Sequence, residues 1–369
     1  MKRTKRVLKI LAGVIAFLAI AIWLVFQLPQ FGGRIKGTRL ERVKSSAEYT
    51  GVRFENKPPQ NRDMEWLKNV QYYMQGQVRE PQFQVPVLPI TNEDLRKSPS
   101  QELAATWLGH ATVIVELNGA RFITDPVLSD VVSPLPIGPH RLHPAPIAIA
   151  DLEGIDGVLV SHDHYDHLDM TTVKKLAEKG SKFFVPLGIG AHLERWGVRV
   201  EQIEEMEWWQ QAEIKGVKVH CTPARHYSGR KSMDNSTLWS SWLVKSDTQS
   251  FYFSGDTGYA PHFIEIKNRL GPVNLTLMKV GAYGDPAGWI DIHMNPESAA
   301  QAQLDLQAEV MLPIHWATFN LAYHAWDEPI DRTLAAAKGK PYLVITPRIG
   351  ERYEYGKPFT NASWYKGQK

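Results

Sequence analysis

The sequence predicts an α/β sandwich, with helices packed outside its sheets and a membrane-spanning helix ahead of it. Three observations carry this reading. From residue 106 onward, short apolar, β-branched runs alternate with amphipathic runs of helical spacing. Asn118-Gly119, lying between two of the apolar runs, is a hairpin turn pair. The chain opens with "MKRTKRVLK" followed by "ILAGVIAFLAIAIWLVF" (10–26), 17 uncharged and mostly apolar residues.

A helix of about 20 apolar residues spans a bilayer, with a lower limit near 17. Gln27 and Leu28 extend the run before Pro29. Residues 1–28 are therefore read as an uncleaved anchor. A cleaved signal peptide is the alternative. "AIA" at 19–21 fits a cleavage rule, but "IWLVF" carries the apolar run past it. Both flanks are basic: Lys2, Arg3, Lys5, Arg6 and Lys9 precede the helix, and Arg34, Lys36, Arg39, Arg42 and Lys44 follow it. A short basic head before a first helix stays cytoplasmic. That places the body outside the cytoplasm, on a bacterial inner membrane. The second flank also suits anionic lipid headgroups.

Residues 29–105 carry Pro58, Pro59, Pro81, Pro86, Pro89 and Pro99 amid Gly, Gln and charge. Only "MEWLKNVQYYMQ" (64–75) has helical character, so the region reads as a linker and lead-in wrapping the main domain, residues 106–369. In that domain, strand-like runs fall at 106–117, 121–127, 157–162, 182–186, 216–224, 237–245, 250–257, 275–280, 310–315 and 342–347. Helix-like runs fall at 169–179, 260–270, 296–306 and 328–338. The third of these starts with Asn295 as N-cap and Pro296 at the first helical position.

At 369 residues and 43% hydrophobic, the chain can bury a sizeable core. Its net charge of +3 comes from the N-terminus: without the first five cations the 42 basic residues fall to 37, against 39 acidic ones. A nearly neutral body offers no basic face, which excludes nucleic acid as a partner. The single cysteine, Cys221, excludes an internal disulfide framework and any multi-cysteine zinc site.

Metal, if bound, is thus bound by histidine and carboxylate. "SHDHYDHLD" (161–169) places three histidines and three aspartates in nine positions, directly after the apolar run "IDGVLV". Other strand-like runs also end in a ligand-type residue: His226 after "VHCTPAR", Asp256 after "FYFSG" and His315 after "VMLPI". In open sheets, ligands gather at one end of the strands. His162, His164, Asp166, His167, His226, Asp256 and His315 are too many for one tetrahedral ion. They suit two ions sharing a carboxylate bridge. A purely structural zinc site is disfavoured, since such sites are closed and cysteine-rich. His140, His143, His192 and His220 read as surface or core histidines.

"SHDHYDHLD" together with "PARH", "SGDTGY" and "PIHW" resembles the metallo-β-lactamase superfamily of binuclear zinc hydrolases. "TWLGHATVIVE", "FITDPVLS", Trp208-Trp209, "GAY" (281–283) and "IHWATF" narrow the resemblance. They are similar to N-acylphosphatidylethanolamine-hydrolysing phospholipase D and its bacterial relatives, over about residues 106–355. The resemblance implies an αββα sandwich with two zinc ions. His162, His164 and His226 would hold one ion, and Asp166, His167 and His315 the other. Asp256 would bridge both, beside a bridging hydroxide. Tyr165 and His293 fall where that family contacts substrate.

Three features depart from the family. Asp163 stands where the mammalian phospholipase has Asn, the loop 284–293 differs, and the first 105 residues are not clearly shared.

The activity this implies is a membrane-anchored phosphodiesterase acting on N-acylphosphatidylethanolamine or related glycerophospholipids. Asp166 would position the water or pass a proton to the leaving alcohol, and His293 would hydrogen-bond the phosphate. Trp208, Trp209, Trp239, Trp242, Trp289 and Trp316 are candidate walls of a lipid groove, although each alone reads better as core. Two alternatives differ in class. One is a lactone, sugar-phosphate or β-lactam hydrolase with the same metals, and the other a tethered metal or lipid binder without turnover. The expected partners are a phospholipid substrate and the membrane, and the sequence is compatible with a homodimer.

Overall fold

The computed structural model describes residues 2–59, 70, 74, 76–284 and 289–367. Seven strands make the first sheet: β1 (Ala104–Gly109), β2 (Thr112–Leu117), β3 (Ala120–Thr124), β4 (Gly157–Leu159), β5 (Lys182–Pro186), β6 (Ile203–Met206) and β14 (Arg352–Glu354). Their order is β14-β1-β2-β3-β4-β5-β6. The second sheet holds β7 (Gln211–Ile214), β8 (Val217–Thr222), β9 (Ser241–Lys245), β10 (Ser250–Phe253), β11 (Leu275–Lys279), β12 (Val310–Ile314) and β13 (Leu343–Val344). Its order is β13-β12-β11-β10-β9-β8-β7.

The sheets bury one face each against the other. Trp107, Val113, Val115, Phe122 and Phe184 meet Val219, Trp242, Val244, Phe251 and Leu277 in one continuous core. The opposite face of the first sheet, through Ile114, Ile123, Val158 and Phe183, packs on Val173, Leu176 and Leu193 of helices Met170–Glu178 and Gly190–Arg195. The second sheet is covered by helices His262–Leu270, Pro296–Asp305 and Glu328–Ala337, through Phe263, Ile266, Ala299, Ala302 and Ile330. The layers are therefore helix, sheet, sheet, helix, as expected.

Local chemistry explains the joints. Leu117 pairs with Ala120 across Asn118-Gly119, whose φ values of 52° and 73° make the two-residue hairpin turn that matches strand twist. The run 106–117, read as one strand, is two: Gly109 and His110, both at positive φ, fold it into the β1–β2 hairpin. Asn295 caps its helix by accepting the Ser298 N–H, and Asp169 caps Met170–Glu178 through Thr171 and Thr172. The helix expected at 64–75 lies outside the described residues except for Val70 and Met74, which are helical. Strands β6, β7 and β14 and helices Thr38–Ser45, Asn92–Arg96 and Gly190–Arg195 were not anticipated.

α1 (Lys2–Val25) contains a 19-residue apolar stretch, Val7–Val25, long and apolar enough to cross a membrane. None of that stretch is buried by the rest of the chain. The segment after it is fastened to the two-sheet body. Arg195 donates to the Gln27 carbonyl at 2.5 Å, Trp196 Nε1 to Pro29 at 2.7 Å and Arg230 Nε to Gln30 at 2.8 Å. The Gly33 N–H donates to His192 Nδ1 at 3.0 Å. Further on, Arg39 pairs with the buried Glu205, and Asn56 donates to the His226 carbonyl at 2.7 Å. Residues 27–59 thus form a strap rather than a loose linker.

The strap lies so close to helix Gly190–Arg195 that a Cβ on Gly33 would stand 1.9 Å from the Ala191 carbonyl oxygen. Gly33→Ala must therefore push the strap off, at a cost of about 1–3 kcal/mol. The expected outcome is a lowered unfolding temperature together with proteolytic cleavage within 27–36. An unchanged cleavage pattern would show that the strap is not held at this point.

Candidate metal centre

Strand direction brings the ligand-type residues to one edge. β8 and β10 are each antiparallel to β9, so they run parallel to one another, and β10, β11 and β12 are parallel in turn. Their C-terminal ends therefore point the same way. From these ends the chain supplies His226 beyond β8, Asp256 just beyond β10 and His315 directly after β12. The loop after β4 supplies His162, His164, Asp166 and His167 from the other sheet.

All seven expected ligand residues converge. His162, His164 and His226 bring one nitrogen each to a common point, with His162 Nε2 2.8 Å and His226 Nε2 3.4 Å from His164 Nδ1. Asp166, His167 and His315 form a second group together with His110. His167 Nε2 is 3.3 Å from Asp166 Oδ2, and His315 Nε2 is 3.6 Å from the same oxygen. Asp256 lies between the groups. Its Oδ2 is 3.3 Å from His167 Nε2 and 3.9 Å from His226 Nε2, and its Oδ1 is 3.1 Å from His315 Nε2.

Hydrogen bonds behind the rings aim their lone pairs inward. The Ser161 hydroxyl donates to Asp125 Oδ2, so its oxygen accepts from His162 Nδ1 at 2.8 Å. His167 Nδ1 donates to Asp125 at 2.6 Å, and His226 Nδ1 to the Ile292 carbonyl at 3.1 Å. In each ring Nε2 is left to face the cluster. Asp256 Oδ1 is buried and accepts no hydrogen bond. Buried carboxylate oxygens are ordinarily satisfied. Inward lone pairs and an orphaned carboxylate oxygen fit divalent cations, and the donor set of imidazole and carboxylate excludes soft-metal preference.

The charges agree. Burial pushes His162 and His226 well below the usual imidazole range, so both are neutral, the form in which an imidazole can ligate a metal. Burial would raise Asp166 and Asp256, but neighbouring imidazoles outweigh it and hold both well below the ordinary carboxylate value. Burial would lower His167, yet Asp256 and Asp166 lift it well above. Without a metal, that imidazolium is the positive charge between two carboxylates, so metal binding displaces its proton.

His293 stands beside the centre, its Nδ1 3.5 Å from Asp256 Oδ2, and burial keeps it neutral. Tyr165 lies next to the ligand loop outside both groups. Its hydroxyl donates to the Arg230 carbonyl at 2.7 Å, and its ring lies under the Arg230 guanidinium at 4.0 Å. Trp239, Trp242 and Trp316 are core residues, whereas Trp289 is half-exposed and stacks on Tyr323 at 5.5 Å near His293.

Three residues went unrecognised in the sequence. His110, buried and pushed down to about 3 by burial, puts Nε2 3.1 Å from Asp166 Oδ2 and so orients that carboxylate as a neutral donor. Asp125 is fully buried and ties Ser161 and His167 together. Lys279 at the end of β11 has no exposed surface, donates to the Gly281 carbonyl, and is pushed down to about 8 by burial against the pull of Asp256 and Asp166.

Asp163, the departure in the motif, is also explained. Its carboxylate accepts the Gly229 N–H at 2.7 Å and pairs with His192 Nε2 at 3.3 Å. Because His192 Nδ1 accepts from Gly33, its proton sits on Nε2 and points at Asp163. His192 is therefore a structural link from the strap to the ligand loop.

The profile of the Beta-lactamase superfamily domain matches residues 120–316. The chain is 39% identical over 373 residues to an uncharacterized protein of Mycobacterium tuberculosis, covering 98% of this chain and 99% of that one. It is 38% identical over 287 residues to N-acyl-phosphatidylethanolamine-hydrolyzing phospholipase D 1 of Caenorhabditis elegans, covering 73% and 80%. Among solved structures, Igni18, a metallo hydrolase from Ignicoccus hospitalis, superposes with a TM-score of 0.53 at 21% identity, covering 69% of this chain and 99% of its own.

Two outcomes follow from this geometry. His110→Ala frees Asp166 and should weaken divalent-metal affinity about 10–100-fold, read by chelator competition; unchanged affinity would remove His110 from the centre. Lys279→Met removes a buried charge. Between about pH 8 and 10.5 the unfolded parent binds more protons than the folded one, so parent stability rises with pH there. Metal-free Lys279→Met should therefore be more stable than the parent by roughly 2–3 kcal/mol at pH 7. The gain should shrink as pH rises through 8, and a pH-independent difference by calorimetry would contradict it.

Proposed function

The chain belongs to the β-lactamase superfamily of metal-dependent hydrolases, and from that premise we propose that it is a membrane-anchored zinc phosphodiesterase of the phospholipase D type. Its substrates are N-acylphosphatidylethanolamine or related glycerophospholipids. The observation that carries this reading is the 38% identity to the worm phospholipase over most of the length of both chains. Two groups of ligand atoms, one of His162, His164 and His226 and one of Asp166, His167 and His315 with His110, both approached by Asp256, support two ions rather than one. The exposed apolar α1 supports an anchor that keeps the enzyme at the surface of its substrate, and the basic head before it, Lys2 to Lys9, favours the body lying outside the cytoplasm.

When bound, the two ions lower the pKa of a water toward neutrality and offset charge on the attacked phosphate. The remaining roles fall to side chains. Asp256 spans both clusters and fixes their separation. His293, neutral and facing the centre, donates to a non-bridging phosphate oxygen. Asp166, held by His110, orients the attacking water and returns a proton to the departing alcohol. A water oxygen bonds to phosphorus, the bond from phosphorus to the ethanolamine oxygen breaks, and that oxygen takes the proton. Tyr165 offers its ring rather than its hydroxyl, which is committed to Arg230. Trp289, half-exposed with its ring 6.1 Å from that of His293, contributes an apolar wall for an acyl chain.

The test is product identification. Full-length protein in detergent, loaded with zinc and given N-acylphosphatidylethanolamine, should release phosphatidic acid and N-acylethanolamine, identified by mass spectrometry. Asp256→Asn should abolish turnover. Absence of phosphatidic acid alongside hydrolysis of a lactone or β-lactam would replace the phospholipid reading, and undiminished turnover by the variant would remove the two-ion one.

A further inference from the structure

A cleft of about 660 Å³ opens between the strap and the ligand loop, walled by Phe31–Val43 on one side and by Asp163, His192 and Lys231 on the other. It is separate from the metal clusters, none of whose ligands line it. We propose that this cleft binds the headgroup of an anionic phospholipid, as a site distinct from the metal centre.

Charge pairing marks the cleft out. Most strap cations have partners: Arg39 pairs with Glu194 and Glu205, Arg42 with Glu205, and Lys44 with Glu41. Arg34 and Lys36, which line the cleft, are exposed and have no carboxylate partner among the described residues. Lys231 faces them from the catalytic body in the same state. Two carboxylates also line the cleft. Asp163 is buried and spent on His192 and the Gly229 N–H. Asp234 accepts the Ser236 N–H and offsets one of the three cations. The remaining positive charge suits a phosphodiester.

Position selects the source of that phosphate. The cleft begins at Phe31, six residues beyond the last residue of α1. A helix seated in a bilayer therefore holds the cleft at headgroup depth, where each Lys or Arg contributes about 1 kcal/mol toward anionic lipid. A volume of about 660 Å³ accommodates a glycerophosphate headgroup. The floor is Asp163 and His192, the link between strap and ligand loop. A bound headgroup thus meets Asp163, which lies between His162 and His164 in the chain. The inference rests on α1 lying in a membrane, and not on which ester the metal centre cleaves.

Calorimetric titration of the full chain in detergent tests it, with bound metals and again after chelation. Dihexanoylphosphatidylglycerol should retain one bound equivalent after chelation, a state in which dihexanoylphosphatidylcholine should bind none. Lipid held as substrate at the metal centre would be lost on chelation, which separates failure of this inference from failure of the phospholipase reading. The triple variant R34Q/K36Q/K231Q, altered only at exposed side chains, should bind at least tenfold more weakly, and K174Q/K175Q on the neighbouring helix should bind as the parent does. Equal binding of the choline lipid, equal competition by inorganic phosphate, or parent-like affinity in the triple variant would overturn the proposal.

Discussion

Asp125 is a carboxylate with no exposed atom at the end of β3, and the ligand loop hangs from it. It accepts the Ser161 N–H at 2.6 Å, the Ser161 hydroxyl at 2.5 Å and His167 Nδ1 at 2.6 Å. Charge-assisted bonds of this kind are short and strong. Through Ser161 it also sets the ring of His162. One side chain of the first sheet thus fixes an imidazole in each cluster. Trp242 adds a cross-brace from the second sheet, donating to the Val160 carbonyl at 2.9 Å. The two sheets are held in register at the point where their ligands must meet.

Backbone strain concentrates at the same place. His110, Asp125, Ala282, His315 and Ala317 all have positive φ, between 29° and 67°. Such residues cost about 1–3 kcal/mol each and persist where surrounding structure over-determines them. Here the His315 N–H donates to the His110 carbonyl at 2.9 Å, so two strained residues hold one another. The centre is rigid because its supports are buried, not because its own loops are regular.

Much of this was legible in the sequence. The loop 161–169 is contiguous, and His226, Asp256 and His315 each follow an apolar run, so local patterning pointed to residues that the fold brings together. His110 was hidden inside what reads as one long strand, "TWLGHATVIVEL", since the turn at Gly109 carries no polar break. Asp125 and Lys279 sit within or beside apolar runs and show their roles only through contacts distant in sequence. The unanticipated strands β6, β7 and β14 are all sheet edges. Edge strands are short and charged to discourage pairing with other chains, which erases the apolar signature by which strands are read. The strap lacks periodicity because its partners lie in helix Gly190–Arg195 and around Arg230, more than a hundred residues away.

The strap bears on how this protein can be shortened. Removing α1 to obtain a shorter protein invites a cut anywhere before residue 120, where the match to the family model begins. A cut beyond Gly33 would strip the Gln30 carbonyl from Arg230, the Pro29 carbonyl from Trp196 and the Gly33 N–H from His192. Arg230 also holds the Asp163 and Leu168 carbonyls at either end of the ligand loop. Loss of the strap would therefore loosen the chain between His162 and His167 without touching a ligand. The folded unit held by these contacts reaches well upstream of the family-model match, which begins at residue 120, so truncations should begin before Gln27.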